Sequence, residues 1–376
     1  MISKNLIYII LLVTSFSCKA QLANEEAPPK AKNVILLIGD GTGLSQISSA
    51  FFFKKTSPNY ARFKHICLIN TSSSREDITD SAAGATAFAT GIKTYNGAIG
   101  VADDSTEVKN LVEIVSKQNI KTGVISTSSI QHATPASFYA HVINRGLYED
   151  IAEDMVDSDI DFFAGGGTKF FNKRKDGKNL LDELKGKGFH INTTALGKFS
   201  GIKSYSKMGY LLAENHLNPV AKGRGDYLPK ATELGIKFLN KDADKSSFFL
   251  MVEGSQIDWG GHANDADYLI SELIDFDDAI GKALDFAEKD GNTLVIVTAD
   301  HETGGFTLAS TPKKTEDGKS YSDYSEITGA FSTNGHSATL IPVFAYGPGA
   351  EAFSGIYENT EIFHKILEVT KWNNKK

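Results

Sequence analysis

The sequence predicts an α/β fold in which a mostly parallel central sheet is flanked by helices on both faces. Three observations lead there. Apolar, β-rich runs recur along the chain: NVILLIG, KTGVISTSS, SSFFLMVEG, GNTLVIVT and LIPVFAY. Between them lie helix-period stripes, one at Val108, Leu111, Val112 and Val115, and a longer one from Leu269 through Leu273, Phe276, Ile280 and Leu284 to Ala287, stopped at Gly291. Strands that alternate with helices build a parallel sheet covered on both sides. The third observation is size: 376 residues, 41% of them hydrophobic, suffice for one large domain.

The chain opens on an export signal. Lys4 precedes the apolar run LIYIILLV, which is too short to span a bilayer, and small residues come next in TSFSCKAQ. Residues 1–20 are read as a signal peptide cleaved after Ala20. The rival is lipoprotein processing at Cys18, where Ser15 occupies the position at which a lipobox usually has leucine. Both imply export, to the periplasm or the exterior, with no stable membrane span. Residues 21–30 read as a polar, proline-containing linker, and residues 31–376 as the folded domain. Cys67 then has no internal disulfide partner, so a bound metal is a candidate stabiliser. The net charge of −7 argues against nucleic-acid binding.

The strands end in ligand-type side chains. NVILLIGDG ends at Asp40, and KTGVISTSSIQHAT leads to His132 and Thr134. The run SSFFLMVEGSQIDWGGH ends at Glu253, with Asp258 and His262 just beyond. GNTLVIVTADHETGG ends at Asp300 and His301, and HSATLIPVFAYGPG begins with His336. In open α/β sheets ligands bind beyond the carboxyl ends of strands, so these residues are expected to converge on one edge. A lone histidine is more often structural than ligating. A collection of carboxylates and imidazoles suits hydrolytic zinc and favours a multi-metal site. The turn GDGTG matches neither a dinucleotide fingerprint nor a phosphate-binding loop.

The stretch TDSAAGATAFATG, from Thr79 to Gly91, has two readings. In one, Ser81 is the N-cap of a short helix ending at Gly91. In the other it is a nucleophile, activated by neighbouring metal and placed where a helix N-terminus attracts an anionic substrate. The metal-ligand pattern favours the nucleophile, and the small residues from Ala82 to Ala87 would let the helix approach the sheet closely. The Lys-, Gly- and Asn-rich region from about 168 to 235 reads as a solvated peripheral insertion. Residues 310–335 read as a loop over the site or at a subunit contact.

The segments DSAAGATAFATGIKTYNGAIGV, EGSQIDWGGHAND, TADHETGG and GHSATLIPVFAYGPG, in this order, resemble the alkaline phosphatase family, and its compact cold-active bacterial branch in particular. The resemblance covers residues 31–370. It implies that Ser81 becomes phosphoserine, that Asp258, His262 and His336 hold one zinc, and that Asp40, Asp300 and His301 hold a second. Asp40, Thr134 and Glu253 would hold a third ion, usually magnesium. Arg145 would grip phosphate oxygens through its guanidinium fork. Two in-line displacements at alkaline pH are implied, as is a homodimer. At two positions where other bacterial members have aspartate and lysine, this chain has His132 and Trp259. An imidazole there would soften the third site and let zinc replace magnesium.

Other readings stay open: a phosphodiesterase of the same superfold, or an exported phosphate- or metal-binding protein without turnover. The C/S-x-P-x-R pattern of sulfatases is absent at SAAGA. Composition adds an expectation about stability. Glycine is 34 of 376 residues and proline 9, about 9% and 2.4%, against typical values near ~7% and ~5%. A glycine-rich, proline-poor chain loses more entropy on folding. Low thermal resistance is expected, and a half-life of hours at roughly 70 °C, the hot end for mesophile domains, would contradict this.

Overall fold

The computed structural model describes residues 30–372. The expected signal peptide, its Ala20 and Cys18 alternatives, and all but the last residue of the linker lie outside the described residues. The strands are β1 Asn33–Gly39, β2 His65–Asn70, β3 Lys121–Ser129, β4 Phe162–Gly166, β5 Phe189–Asn192, β6 Lys207–Leu211 and β7 Phe248–Gly254. They continue with β8 Thr293–Thr298, β9 Glu302–Thr303, β10 Thr307–Lys314, β11 Ser320–Ala330, β12 His336–Ser337, β13 Ile341–Tyr346 and β14 Gly355–Glu358.

Ten of these form one sheet in the order β14-β2-β13-β8-β1-β7-β3-β4-β6-β5. Every neighbouring pair is parallel except the two that β13 makes, with β2 and β8. The mostly parallel α/β architecture is therefore as the sequence predicts. The period-2 geometry of a strand explains the two-sided core. In β1, Val34, Leu36 and Ile38 pack into one apolar cluster and Ile35 and Leu37 into the other. The long stripe forms the helix Ala266–Asp290, ended by Gly291 in the left-handed conformation, and it lies against the second cluster.

Two regions depart from expectation. Residues 168–235 are not a peripheral insertion: they supply β5 and β6 to the sheet edge and the largely buried helix Tyr227–Leu239. Most of the lysines are exposed, while the apolar residues between them, Phe189, Met208, Tyr210 and Leu211, are buried. The polar stretch after His301 is not a loop but an antiparallel hairpin, β10–β11. Alternating serines, threonines and tyrosines tolerate an exposed strand, and its period-2 signal is weak because neither face is strongly apolar.

Candidate active site

The carboxyl ends of β1, β3, β7 and β8 lie side by side, since β1 sits between β7 and β8, and β3 flanks β7. Asp40 follows β1, His132 and Thr134 follow β3, Glu253 is in β7 and Asp300 and His301 follow β8. Because β13 runs the other way, the chain entering it arrives at this same edge. That is why His336 precedes its strand while the others come after theirs; it sits in β12, paired with β9 across Thr303. Asp258, Trp259 and His262 lie on the helix Gln256–His262, just after β7.

Ser81 is the first residue of the helix Ser81–Thr90 and not its cap; Asp80 is, its carboxylate accepting from the Ala83 amide at 3.0 Å. All ten residues of this helix are buried. A Cβ at Gly84 would stand 3.0 Å from the Asp300 Cβ, so the small residues do allow the close approach. The result places Ser81 Oγ 3.3 Å from His301 Nε2.

Around that hydroxyl the donor atoms converge. His301 Nε2 lies 3.6 Å from Asp40 Oδ1 and 3.4 Å from Asp300 Oδ2. Asp258 Oδ1 lies 3.3 Å from His262 Nε2 and 3.6 Å from His336 Nε2, and the two imidazole nitrogens are 3.2 Å apart. Three groups bring their ligand atoms within 4.8 Å of one another: Asp258 with His301 and His336, Asp40 with Asp300 and His301, and Asp40 with His132 and Glu253. The third group differs from the expected Asp40, Thr134 and Glu253 by including the His132 ring. Thr134 Oγ1 is nevertheless buried there with no hydrogen-bond partner.

The orientation of the histidines suits cations. His336 Nδ1 donates to the Thr79 carbonyl at 2.8 Å and His262 Nδ1 to that of Asn334 at 2.6 Å. Each bond leaves Nε2 with a free lone pair. Thr303 Oγ1 donates to Asp258 Oδ1 at 2.5 Å and faces His301 Nδ1 at 3.2 Å, which fixes that ring in the same tautomer.

Electrostatics agree. Burial pushes the Asp300 carboxyl up to about 6 and that of Glu253 up to about 7. Asp40 is raised by burial and by the nearby Asp300, Asp258 and Glu253 charges. Burial pushes His301 down to about 3, which keeps it neutral, the form that ligates. Both Asp40 oxygens, Glu253 Oε1, Asp300 Oδ2 and His132 Nδ1 are buried without hydrogen-bond partners. Stranding this many acceptors is costly unless cations satisfy them. Carboxylate with imidazole suits zinc, and the oxygen-rich group at Asp40, Thr134 and Glu253 suits magnesium. The residues present fit divalent cations.

Arg145 lies at the rim, its guanidinium donating to Asp80 Oδ2 at 2.9 Å and its amide to the Gly97 carbonyl at 2.7 Å. Burial alone would raise the Asp80 carboxyl, yet Arg145 and the Ala83 and Gly97 amides hold it below the usual range. Asp80 thus caps the serine helix and anchors the arginine together, a double role that sequence reasoning missed. Asp80→Ala is expected to weaken inhibition by inorganic phosphate roughly tenfold, the scale of one charge-assisted hydrogen bond, and to cost about 1 kcal/mol of stability through the lost cap. Inhibition and unfolding curves check both. Sequence reasoning also missed His216, whose ring lies 4.8 Å from that of Trp259. No motif marks it.

Comparison with known proteins gives the family. The family model described as alkaline phosphatase matches residues 31–321 and 309–372. Alkaline phosphatase 3 of Bacillus subtilis is 36% identical, covering 92% of this chain and 90% of its own. Alkaline phosphatase of Escherichia coli is 30% identical, covering 92% and 88%. Among solved structures, alkaline phosphatase from the Antarctic bacterium TAB5 has a TM-score of 0.90 and 67% identity over 93% of this chain and 100% of that one. A TAB5 variant with one histidine changed to aspartate, at 69% identity, TM-score 0.91 and the same coverage, has magnesium bound in its M3 site. With nearly all of residues 31–372 matched and a serine at a helix N-terminus among converging carboxylates and imidazoles, the chain belongs to the alkaline phosphatase family of metal-dependent phosphomonoesterases.

Proposed function

We propose that this chain hydrolyses phosphate monoesters through a phosphoserine formed on Ser81. The observation that carries the reading is the Ser81 hydroxyl at the N-terminus of a buried helix, 3.3 Å from a His301 ring nitrogen that itself lies within 3.6 Å of the Asp40 and Asp300 carboxylates. Asp258, His262 and His336 would hold one zinc, Asp40, Asp300 and His301 a second, and Asp40, Thr134 and Glu253 a magnesium or third zinc. Bound cations supply Lewis-acid stabilisation of phosphoryl charge and ease deprotonation of hydroxyl groups.

The chain's own residues do the rest. Arg145, held by Asp80, pairs with two non-bridging oxygens, and the helix N-terminus adds its partial positive charge. Ser81 Oγ bonds to phosphorus as the bond to the alcohol oxygen breaks, and the alcohol departs with a proton. A water oxygen then bonds to phosphorus on the same line, the P–Oγ bond breaks, and Ser81 recovers its proton. Metal analysis of purified protein beside hydrolysis of an aryl phosphate tests the reading. Turnover that tracks zinc and magnesium content supports it; turnover by metal-free protein rejects it.

His132 and Trp259 tune the site in this reading. A TAB5 variant with a histidine-to-aspartate change holds magnesium in its M3 site, the outcome expected here for His132→Asp. Trp259 places no cation near the phosphate, so product is held less tightly, by about 1–2 kcal/mol. The double change His132→Asp with Trp259→Lys is expected to raise magnesium dependence and tighten phosphate inhibition. Parental values for both would contradict the assignment.

The partners are phosphate monoester small molecules and a second copy of the chain. The exposed Leu44, Phe51 and Phe52 on the helix Leu44–Phe53 favour a homodimer. No helix among the described residues is long and apolar enough to cross a membrane. Export to the periplasm or the exterior is supported by the apolar run behind Lys4.

A further inference from the structure

His216 comes from the segment after β6, far in sequence from every motif of the site. Its Nδ1 accepts the Ser129 amide at 3.0 Å, at the end of β3 where pairing with β4 slips register. A ring nitrogen that accepts an amide carries no proton, so the proton sits on Nε2 and the ring is neutral. That bond ties the segment to the strand end that leads into His132 and Thr134.

Three aromatic rings meet edge to face at this point. His216 lies 5.8 Å from His132 with the planes at 88°, and 4.8 Å from Trp259 at 73°. His132 and Trp259 are 5.9 Å apart at 74°. Such pairs have a preferred geometry and so a preferred orientation. His132 needs one imposed: the residue is 9% exposed and, among the described residues, neither of its ring nitrogens has a hydrogen-bond partner, so nothing on the nitrogen opposite the buried Nδ1 acceptor holds the ring. The usual device for orienting a ligating histidine, a carbonyl or carboxylate on its other nitrogen, serves His336 and His262. At His132 packing takes its place.

We propose that His216 is a positioning residue of the third metal site, clamping the His132 imidazole toward Asp40 and Glu253 so that the site favours zinc over magnesium. This rests on the reading of Asp40, Thr134 and Glu253, with His132, as that site. An imidazole held in place favours the borderline-soft ion, while magnesium depends on the oxygens. Loss of the clamp should therefore weaken zinc selectively, whereas general loosening of the fold would weaken both metals.

The test is titration of the metal-stripped full chain with zinc alone and with magnesium alone, read by calorimetry and elemental analysis. His216→Ala is expected to weaken the third zinc equivalent by about tenfold or more, the scale of lost ligand support, with magnesium changed less than about threefold and the first two zinc equivalents unchanged. His132→Ala serves as reference and should abolish the zinc preference. Should His132→Ala leave the preference intact, the third-site reading itself fails. Should His132→Ala abolish it while His216→Ala matches the parent, or weakens both metals equally, the role of His216 is overturned. If His216→Ala does not fold, His216→Asn, which keeps an acceptor for the Ser129 amide and removes the ring, carries the same expectation and the same refutation.

Discussion

Ser81→Ala is expected to lower kcat by roughly 10⁴-fold or more while leaving the fold and the metal content unchanged. The size reflects outright removal of a covalent nucleophile, since binding and electrostatics alone leave only residual catalysis. The structural side is conservative. Asp80, not Ser81, caps the helix through the Ala83 amide, so alanine at 81 strands no backbone group. It also suits the first turn of a helix already rich in alanine. The hydroxyl's 3.3 Å approach to His301 disappears with it. The kinetic constants, with elemental analysis of the same sample, check the expectation. Turnover within tenfold of the parent, in a variant of verified sequence, would end the covalent reading.

Metal removal is expected to have the second largest effect, on activity and stability together. Chelation should abolish hydrolysis and lower Tm, and zinc with magnesium should restore both. The pH dependence has a definite sign. Asp300 and Glu253 stand at about 6 and about 7 in the folded chain, above ordinary carboxylates. The folded metal-free chain therefore keeps protons that the unfolded chain has released. That stability is present at and below the ordinary carboxylate range and is lost as pH rises through 6 to 7. Metal binding displaces the same protons and strengthens with pH. The gap in Tm between metal-loaded and metal-free protein should widen from pH 5.5 to 8, and a constant gap would contradict this linkage.

Much of the site was legible in the sequence because strand ends announce themselves. NVILLIGDG and TLVIVTADH pass abruptly from buried aliphatics to ligating side chains, and parallel topology forces such ends to one edge. His336 broke the pattern by preceding its strand; the reversed direction of β13 explains it. Asp80 was in view as a charge suited to the helix N-terminus, but its bond to Arg145 spans 65 residues and leaves no local signal. His216 was invisible for the same reason, and its segment read as solvated because lysines and glycines outnumber the apolar positions that build β5 and β6. Periodicity reports which face of an element is buried. It does not report which distant side chain will meet it.

The central claim is that Ser81 carries the phosphoryl group between the two displacements. Brief reaction of the metal-loaded protein with radiolabelled phosphate, quenching in acid, proteolysis and mass spectrometry test it directly. Label and an added phosphoryl mass are expected on the peptide containing Ser81, and none in Ser81→Ala. Active, metal-replete protein in which the label sits on another residue, or nowhere while turnover proceeds, would contradict the claim.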